Sequence, residues 1–285
     1  MDKYFRAVGF SHLRAGKQLD ALIQNSFRTC ESKIATGDAE DVTLDCYKYF
    51  GKGIGLGLSG VMKKNKSVTL KKCFPFAESD CCVEAVNVET EEVNNDKLIL
   101  FYDKKTFNQF VVKLQKPFTV SKIKSVSIAA LSAKGKVLLP FFKDKTQQNI
   151  KKHEVKNLKS LLKKTCAGDK NAEVKLDESL ERTSCAIRSR MFSEDFFSIV
   201  ETYFQPDDES DFSYDLLAEI IRVETLENSE TGEKIYAMVI NVTGTELQLY
   251  INHLDIVGVP SVGMRFWGVC ALCGSVRPKK GVFFF

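Results

Sequence analysis

The chain has 285 residues, 44% hydrophobic and 27% charged, the balance of an ordinary globular protein. This excludes a mainly disordered, collagen-like or fibrous chain, and at ~150 residues per domain it sets a prior of two domains. The formal charge of +4 hides a split: residues 1–164 hold 30 basic and 17 acidic side chains, and residues 165–285 hold 11 and 20. Such asymmetry reads as a basic surface that meets a polyanion, or as two solvated surfaces of opposite sign.

Leu19, Leu22, Ile23 and Phe27 fall on one face of a 3.6-residue period and predict a first helix. The period then changes to two through Val42, Leu44 and Cys46, through Ile54, Leu56 and Leu58, and through Val68 and Leu70. The lysines between the last two runs mark a hairpin turn. A second hairpin is expected from residues 97–102 and 107–114 around Asp103-Lys104-Lys105. A third is expected from 123–131 and 136–142 around Ala133-Lys134-Gly135.

From Lys143 to Lys164 eight lysines stand against Asp144 and Glu154. Val155, Leu158, Leu162 and Cys166 share a helical face, with Gly168 placed as a C-cap. Residues 171–190 are polar and mixed, with no element assigned. Residues 194–204 predict a short inward-facing helix with Ser193 as N-cap. Leu217–Thr225, Ile235–Val242 and Leu247–Ile251 predict a three-stranded meander, and Phe266–Val276 a fourth strand. The expected fold class is α+β. A β-rich domain with an N-terminal helix spans 1–142, a basic helical connecting segment 143–212, and a small antiparallel β barrel, OB-like in size, 213–285.

Nine cysteines are an odd number, and Cys81 and Cys82 are adjacent. The chain starts Met1-Asp2-Lys3-Tyr4-Phe5-Arg6 with no apolar segment behind it, so no secretory leader is expected. No apolar run approaches the ~18 residues of a membrane helix. A reduced, cytoplasmic protein is expected.

Several stretches together resemble an uncharacterised bacterial family of clostridial Firmicutes, of the domain-of-unknown-function kind. They include Phe5-Arg6-Ala7-Val8-Gly9-Phe10-Ser11, Tyr49-Phe50-Gly51-Lys52-Gly53-Ile54-Gly55, Asp195-Phe196-Phe197-Ser198-Ile199-Val200-Glu201-Thr202-Tyr203-Phe204 and Gly258-Val259-Pro260-Ser261-Val262-Gly263-Met264-Arg265-Phe266-Trp267-Gly268. The resemblance runs almost end to end and implies one architecture over the full chain. It implies no activity.

Three motifs invite chemistry. Cys270-x-x-Cys273 has zinc-knuckle spacing, but a structural site needs four ligands and residues i and i+3 of a strand face opposite sides. Gly55-x-Gly57-x-x-Gly60 matches a dinucleotide fingerprint, yet no convincing helix follows and the alternation through it is that of a strand. Asn252-His253-Leu254-Asp255 sets an imidazole near a carboxylate without a nucleophile or metal in reach. No cofactor and no metal are expected.

The strongest surface feature is the lysine helix. Lys152, Lys156, Lys159 and Lys163, at i, i+4, i+7 and i+11, form one stripe suited to phosphate contacts. Lys63, Lys64, Lys66, Lys71 and Lys72 extend a basic patch only if folding brings them near. The function expected is that of a non-catalytic binding or adaptor protein. A protein partner is the first expectation, weak nucleic-acid contact the second, and no membrane. The alternative is an enzyme whose site is assembled from distant residues.

Overall fold

The computed structural model describes residues 2–13, 16–36, 42–62, 68–93, 96–116, 123–141, 145–191, 194–208 and 212–276. Two compact units emerge: Met1–Leu138 together with Thr202–Phe285, and Leu139–Glu201. No described helix is long and apolar enough to cross a membrane.

The first unit opens with a 3-10 helix, Lys3–Val8, which Asp2 caps by accepting from the Tyr4 amide at 2.9 Å. The predicted amphipathic helix follows as α1 (Lys17–Thr29). Four strands, β1 (Ser32–Thr36), β2 (Val42–Gly51), β3 (Ile54–Met62) and β4 (Val68–Ala77), then make an antiparallel sheet in sequence order. The β3–β4 hairpin is where the alternation of Ile54, Leu56 and Leu58 placed it, and all three side chains are buried.

The second sheet has ten strands. They are β5 (Cys82–Val93), β6 (Asp96–Asp103), β7 (Gln109–Leu114), β8 (Ser125–Leu138), β9 (Tyr203–Asp208), β10 (Ser213–Glu227), β11 (Lys234–Val242), β12 (Thr245–Asn252), β13 (Ile256–Val257) and β14 (Arg265–Val276). Strands β10, β11, β12, β8 and β14 pair successively, and β14 pairs back to β10. The first half of β8, from Val126 to Ser132, is buried on both faces. Ile128 and Ala130 join one apolar cluster with Phe101, Phe110, Leu216, Met238 and Leu249. Ala129 and Leu131 join a second with Tyr4, Phe5, Phe50 and Leu56. The period of two thus glues the N-terminal segment and the small sheet to the large one.

The expected α+β class with an independent, OB-like C-terminal barrel is overturned. The chain is mostly β, in sheets of four and ten strands. The described residues of this segment, 213–276, do not close on themselves: β12 pairs parallel with β8, and β14 pairs with β8 from Arg265↔Leu138 to Val276↔Val126. Strands from both of the outer sequence segments therefore share one sheet.

Local corrections follow from the same pairing. Ala133-Lys134-Gly135 is no turn but the middle of β8, where the register with β14 shifts between Val269 and Cys270. A Cβ on Gly135 would stand 2.3 Å from the Phe266 ring. The expected helix over 194–204 shrinks to one turn, Phe196–Ile199, capped by Asp195 rather than by Ser193, which lies outside the described residues. Its C-terminal part is strand β9.

The second unit holds α2 (Lys145–Cys166), α3 (Lys170–Met191) and α4 (Phe196–Ile199). The expected Gly168 cap is present, with φ +87° and its amide donating to Thr165 O at 2.9 Å. Asp169 starts α3 by accepting from the Asn171 and Ala172 amides at 3.0 and 3.2 Å. Buried Ala172 and Leu176 form the short apolar stripe that holds α3 in place.

Candidate functional site

In the first unit a cleft of about 1200 Å³ opens between the small sheet and the large one. Its floor is apolar and aromatic, with Leu131, Ala271, Tyr47 and Phe74. Its walls carry Lys3, Lys71, Lys72, Lys97, Lys113 and Lys116 against Asp2, Asp45, Glu92 and Asp96. No histidine lines it.

Three strands build the polar centre. Lys72 projects from β4, Lys113 from β7 and Asp96 from the start of β6. Both ammonium groups make ion pairs with the one Asp96 carboxylate. Their side chains are 30% and 34% exposed, so water screens them less than at an open surface. Two cations on one anion leave a surplus positive charge. Burial, with Lys113 as the next cause, pushes Lys72 down to about 8, while Asp2 and Asp45 pull it up. Burial also lowers Lys113. The Lys72 ammonium lies 5.5 Å from the centre of the Phe74 ring. Lys116 is 2.7 Å from Glu78 and 5.5 Å from the Tyr47 ring centre, and Tyr47 donates to Gln115 O at 2.7 Å.

A smaller cleft of about 920 Å³ contains Cys81, Cys82, Asp103 and Thr245. Asp103 is fully engaged there, accepting from Lys105 N, Thr106 Oγ1 and Thr245 Oγ1 at 2.6–2.8 Å. It is a structural carboxylate of the β6–β7 turn.

The motifs singled out in the sequence fall elsewhere. Gly55 and Gly57 lie in β3 opposite Phe76 and Phe74, with no helix after them. Cys270 belongs to one buried cluster and Cys273 to the other, so their thiols face opposite sides of β14 and do not converge on one ion. Asn252 and Asp255 join the N-terminal segment to the large sheet. Arg6 pairs with Asp255, Asn252 donates to Arg6 O at 3.2 Å, and Glu233 accepts from Ser11 Oγ at 2.8 Å and from Asn252. His253 is exposed, its Nδ1 3.1 Å from Lys234 O.

Of the predicted lysine stripe, all four residues are in α2. Lys156 and Lys163 are exposed and Lys159 is half-buried, while the side chain of Lys152 lies outside the described residues. Lys63, Lys64 and Lys66 also lie outside them. Lys71 and Lys72 line the cleft. Asp96 and Lys113 went unnoticed in the sequence. The available signal was a lysine inside an otherwise apolar strand, Phe110-Val111-Val112-Lys113-Leu114.

Fold and cleft together define a mostly β protein with a lysine-walled, ligand-sized cleft between two sheets. Residues 5–274 match the family described as "Domain of unknown function, E. rectale Gene description (DUF3881)", and the chain belongs to that family. No curated protein and no solved structure matches it.

Proposed function

We propose that this is a non-catalytic binding protein of the cytoplasm, and that the inter-sheet cleft is its site for an anionic ligand. The observation that carries this reading is the pair Lys72 and Lys113, partly desolvated in a concave site and sharing a single carboxylate. Ligand pockets commonly join an apolar lining to a few convergent polar groups, and perturbed ionisable groups mark such sites. The nine free cysteines support the reducing compartment.

The test is a thermal-shift series with pyrophosphate, citrate and benzoate against sodium chloride of matched ionic strength. At least one anion is expected to raise Tm saturably, and Lys72→Gln with Lys113→Gln to abolish the rise. The reading fails if no anion exceeds the salt control, or if the anion is turned over into product.

A second reading rests on a different observation, the exposure of Lys156 and Lys163 on α2. These support a separate, weak contact with nucleic acid.

A further inference from the structure

Three ionic groups meet at the centre of the cleft, and their charges do not cancel. Lys72 comes from the small sheet, Lys113 and Asp96 from the large one. One carboxylate therefore ties the two sheets together while leaving one positive charge over. Resting on the reading that the cleft binds an anion, we infer that Asp96 is a resident counter-ion displaced by the phosphate of an organic phosphate monoester, whose apolar body lies on Phe74, Tyr47, Leu131 and Ala271.

The charge arithmetic selects the ligand. The lining as a whole carries six lysines against Asp2, Asp45, Glu92 and Asp96, a surplus of two positive charges that a phosphate monoester dianion matches. Displacing Asp96 turns both Lys72 and Lys113 towards that dianion. Asp96 can yield because it stands at the first residue of β6, at the strand's end. Lys72 lies over Phe74 and Lys113 lies within β7, so their strands hold both ammonium groups in place. Both ammonium groups are already held down by burial, and Lys72 also by Lys113. A dianion between them relieves their mutual repulsion. The apolar floor then selects a phosphate with a hydrophobic body over inorganic phosphate.

The experiment is isothermal titration calorimetry on the full chain with 1-naphthyl phosphate, inorganic phosphate and 1-naphthol. Wild type is expected to bind 1-naphthyl phosphate more tightly than either fragment. Lys113→Gln should lose that binding. Asp96→Asn removes the competing carboxylate without changing shape and should raise the affinity about tenfold, a modest share of a unit charge interaction at this range. Asp96→Asn should also lower Tm, because two cations lose their partner, and saturating 1-naphthyl phosphate should restore it. Binding that Asp96→Asn leaves unchanged or weakens overturns the counter-ion while the binding reading stands. A drop in Tm that the phosphate does not restore overturns it equally. Tighter binding of inorganic phosphate overturns the apolar body. Silence of all three probes with wild type and Asp96→Asn alike overturns the inference, while the cleft reading stands or falls with the anion series above.

Discussion

Gly57 lies directly across the β3–β4 pair from Phe74, and a Cβ on Gly57 would stand 2.4 Å from the aromatic ring. The ring lies over the glycine because nothing projects from it, and in that position it lines the cleft beneath the Lys72 ammonium. Gly55 does the same for Phe76, with the Lys48 carbonyl only 2.1 Å from the ideal Cβ position. Cross-strand aromatic cover of a strand glycine is a way of recovering the packing that the glycine lacks. The glycine spacing that resembles a dinucleotide fingerprint thus records two aromatic rings.

The first prediction tests this pairing. Gly57→Ala should destabilise the protein by about 1–3 kcal/mol, the usual range for overpacking. In a Phe74→Ala background the same change should cost little, because the ring is gone. Urea unfolding of the four members of this cycle measures the coupling. Equal costs in both backgrounds would show that Phe74 does not set the requirement for glycine.

Much of the fold could be read locally, and the rest depended on partners far along the chain. The β3–β4 and β6–β7 hairpins, the β10–β12 meander and α2 follow from short-range periodicity and turn residues. The turn assigned to Ala133-Lys134-Gly135 followed composition, but Phe266 over Gly135 and the bulge opposite Val269 keep this stretch extended. Strand β5 carries Glu84, Glu89, Glu91 and Glu92, so it lacked an apolar signal. Helix α3 was missed because its buried stripe is little more than Ala172 and Leu176. The cleft was less legible still. Lys72, Asp96 and Lys113 come from three strands of two sheets, and no sequence spacing announces their meeting.

Asn228 is fully buried at the end of β10, where its Nδ2 donates to Val8 O at 2.8 Å and its Oδ1 accepts from the amides of Glu230 and Thr231. It serves both the β10–β11 turn and the end of the 3-10 helix. Gly9, at φ +92°, makes room for it. Asn228→Ala leaves a buried carbonyl and two amides without these partners. The expected loss is about 2–4 kcal/mol, since each orphaned buried group costs about 1–3 and water recovers part. Chemical denaturation measures it, and a loss below about 1 kcal/mol would contradict the bridging role.

Burial pushes the thiols of Cys73, Cys270 and Cys273 up to about 12 from 9.0. Raised values mean that the folded state keeps protons which the unfolded chain releases above pH 9. Their contribution is therefore fully present below pH 9 and is lost as pH rises towards 12. Lys72, lowered to about 8 from 10.5, acts in the opposite sense over its own window. Two partly buried amines, Lys72 and Lys113, oppose the three thiols, and burial raises Tyr47, Tyr49 and Tyr250 in the same sense as the thiols, so stability should fall from pH 9 upward. Urea unfolding between pH 7.5 and 10.5 tests the sign. Cys273→Ala should lower stability at neutral pH through lost packing and flatten the alkaline decline. An unchanged slope in that variant would remove Cys273 from the account.

The last prediction concerns the lysines of α2. Lys156 and Lys163 are exposed on the helix and Lys159 is half-buried. Residues at such spacing lie along one face. Within the same unit α3 exposes Glu173, Asp177, Glu178 and Glu181. These acids lower the local potential, so contact with nucleic acid is expected to be weak and confined to low salt. Each lysine on a duplex phosphate releases roughly one counterion, so affinity should fall steeply between about 50 and 200 mM salt. Fluorescence anisotropy with labelled RNA and DNA at both salt concentrations reads the effect. Changing Lys152, Lys156, Lys159 and Lys163 together to Gln should abolish low-salt binding, and Lys156→Gln with Lys163→Gln, the two exposed positions, should leave Tm nearly unchanged, because exposed charges contribute little to stability. Charge reversal of the α3 acids to Lys should strengthen it. No binding at low salt, or equal binding by the Gln variant, removes the nucleic-acid contact.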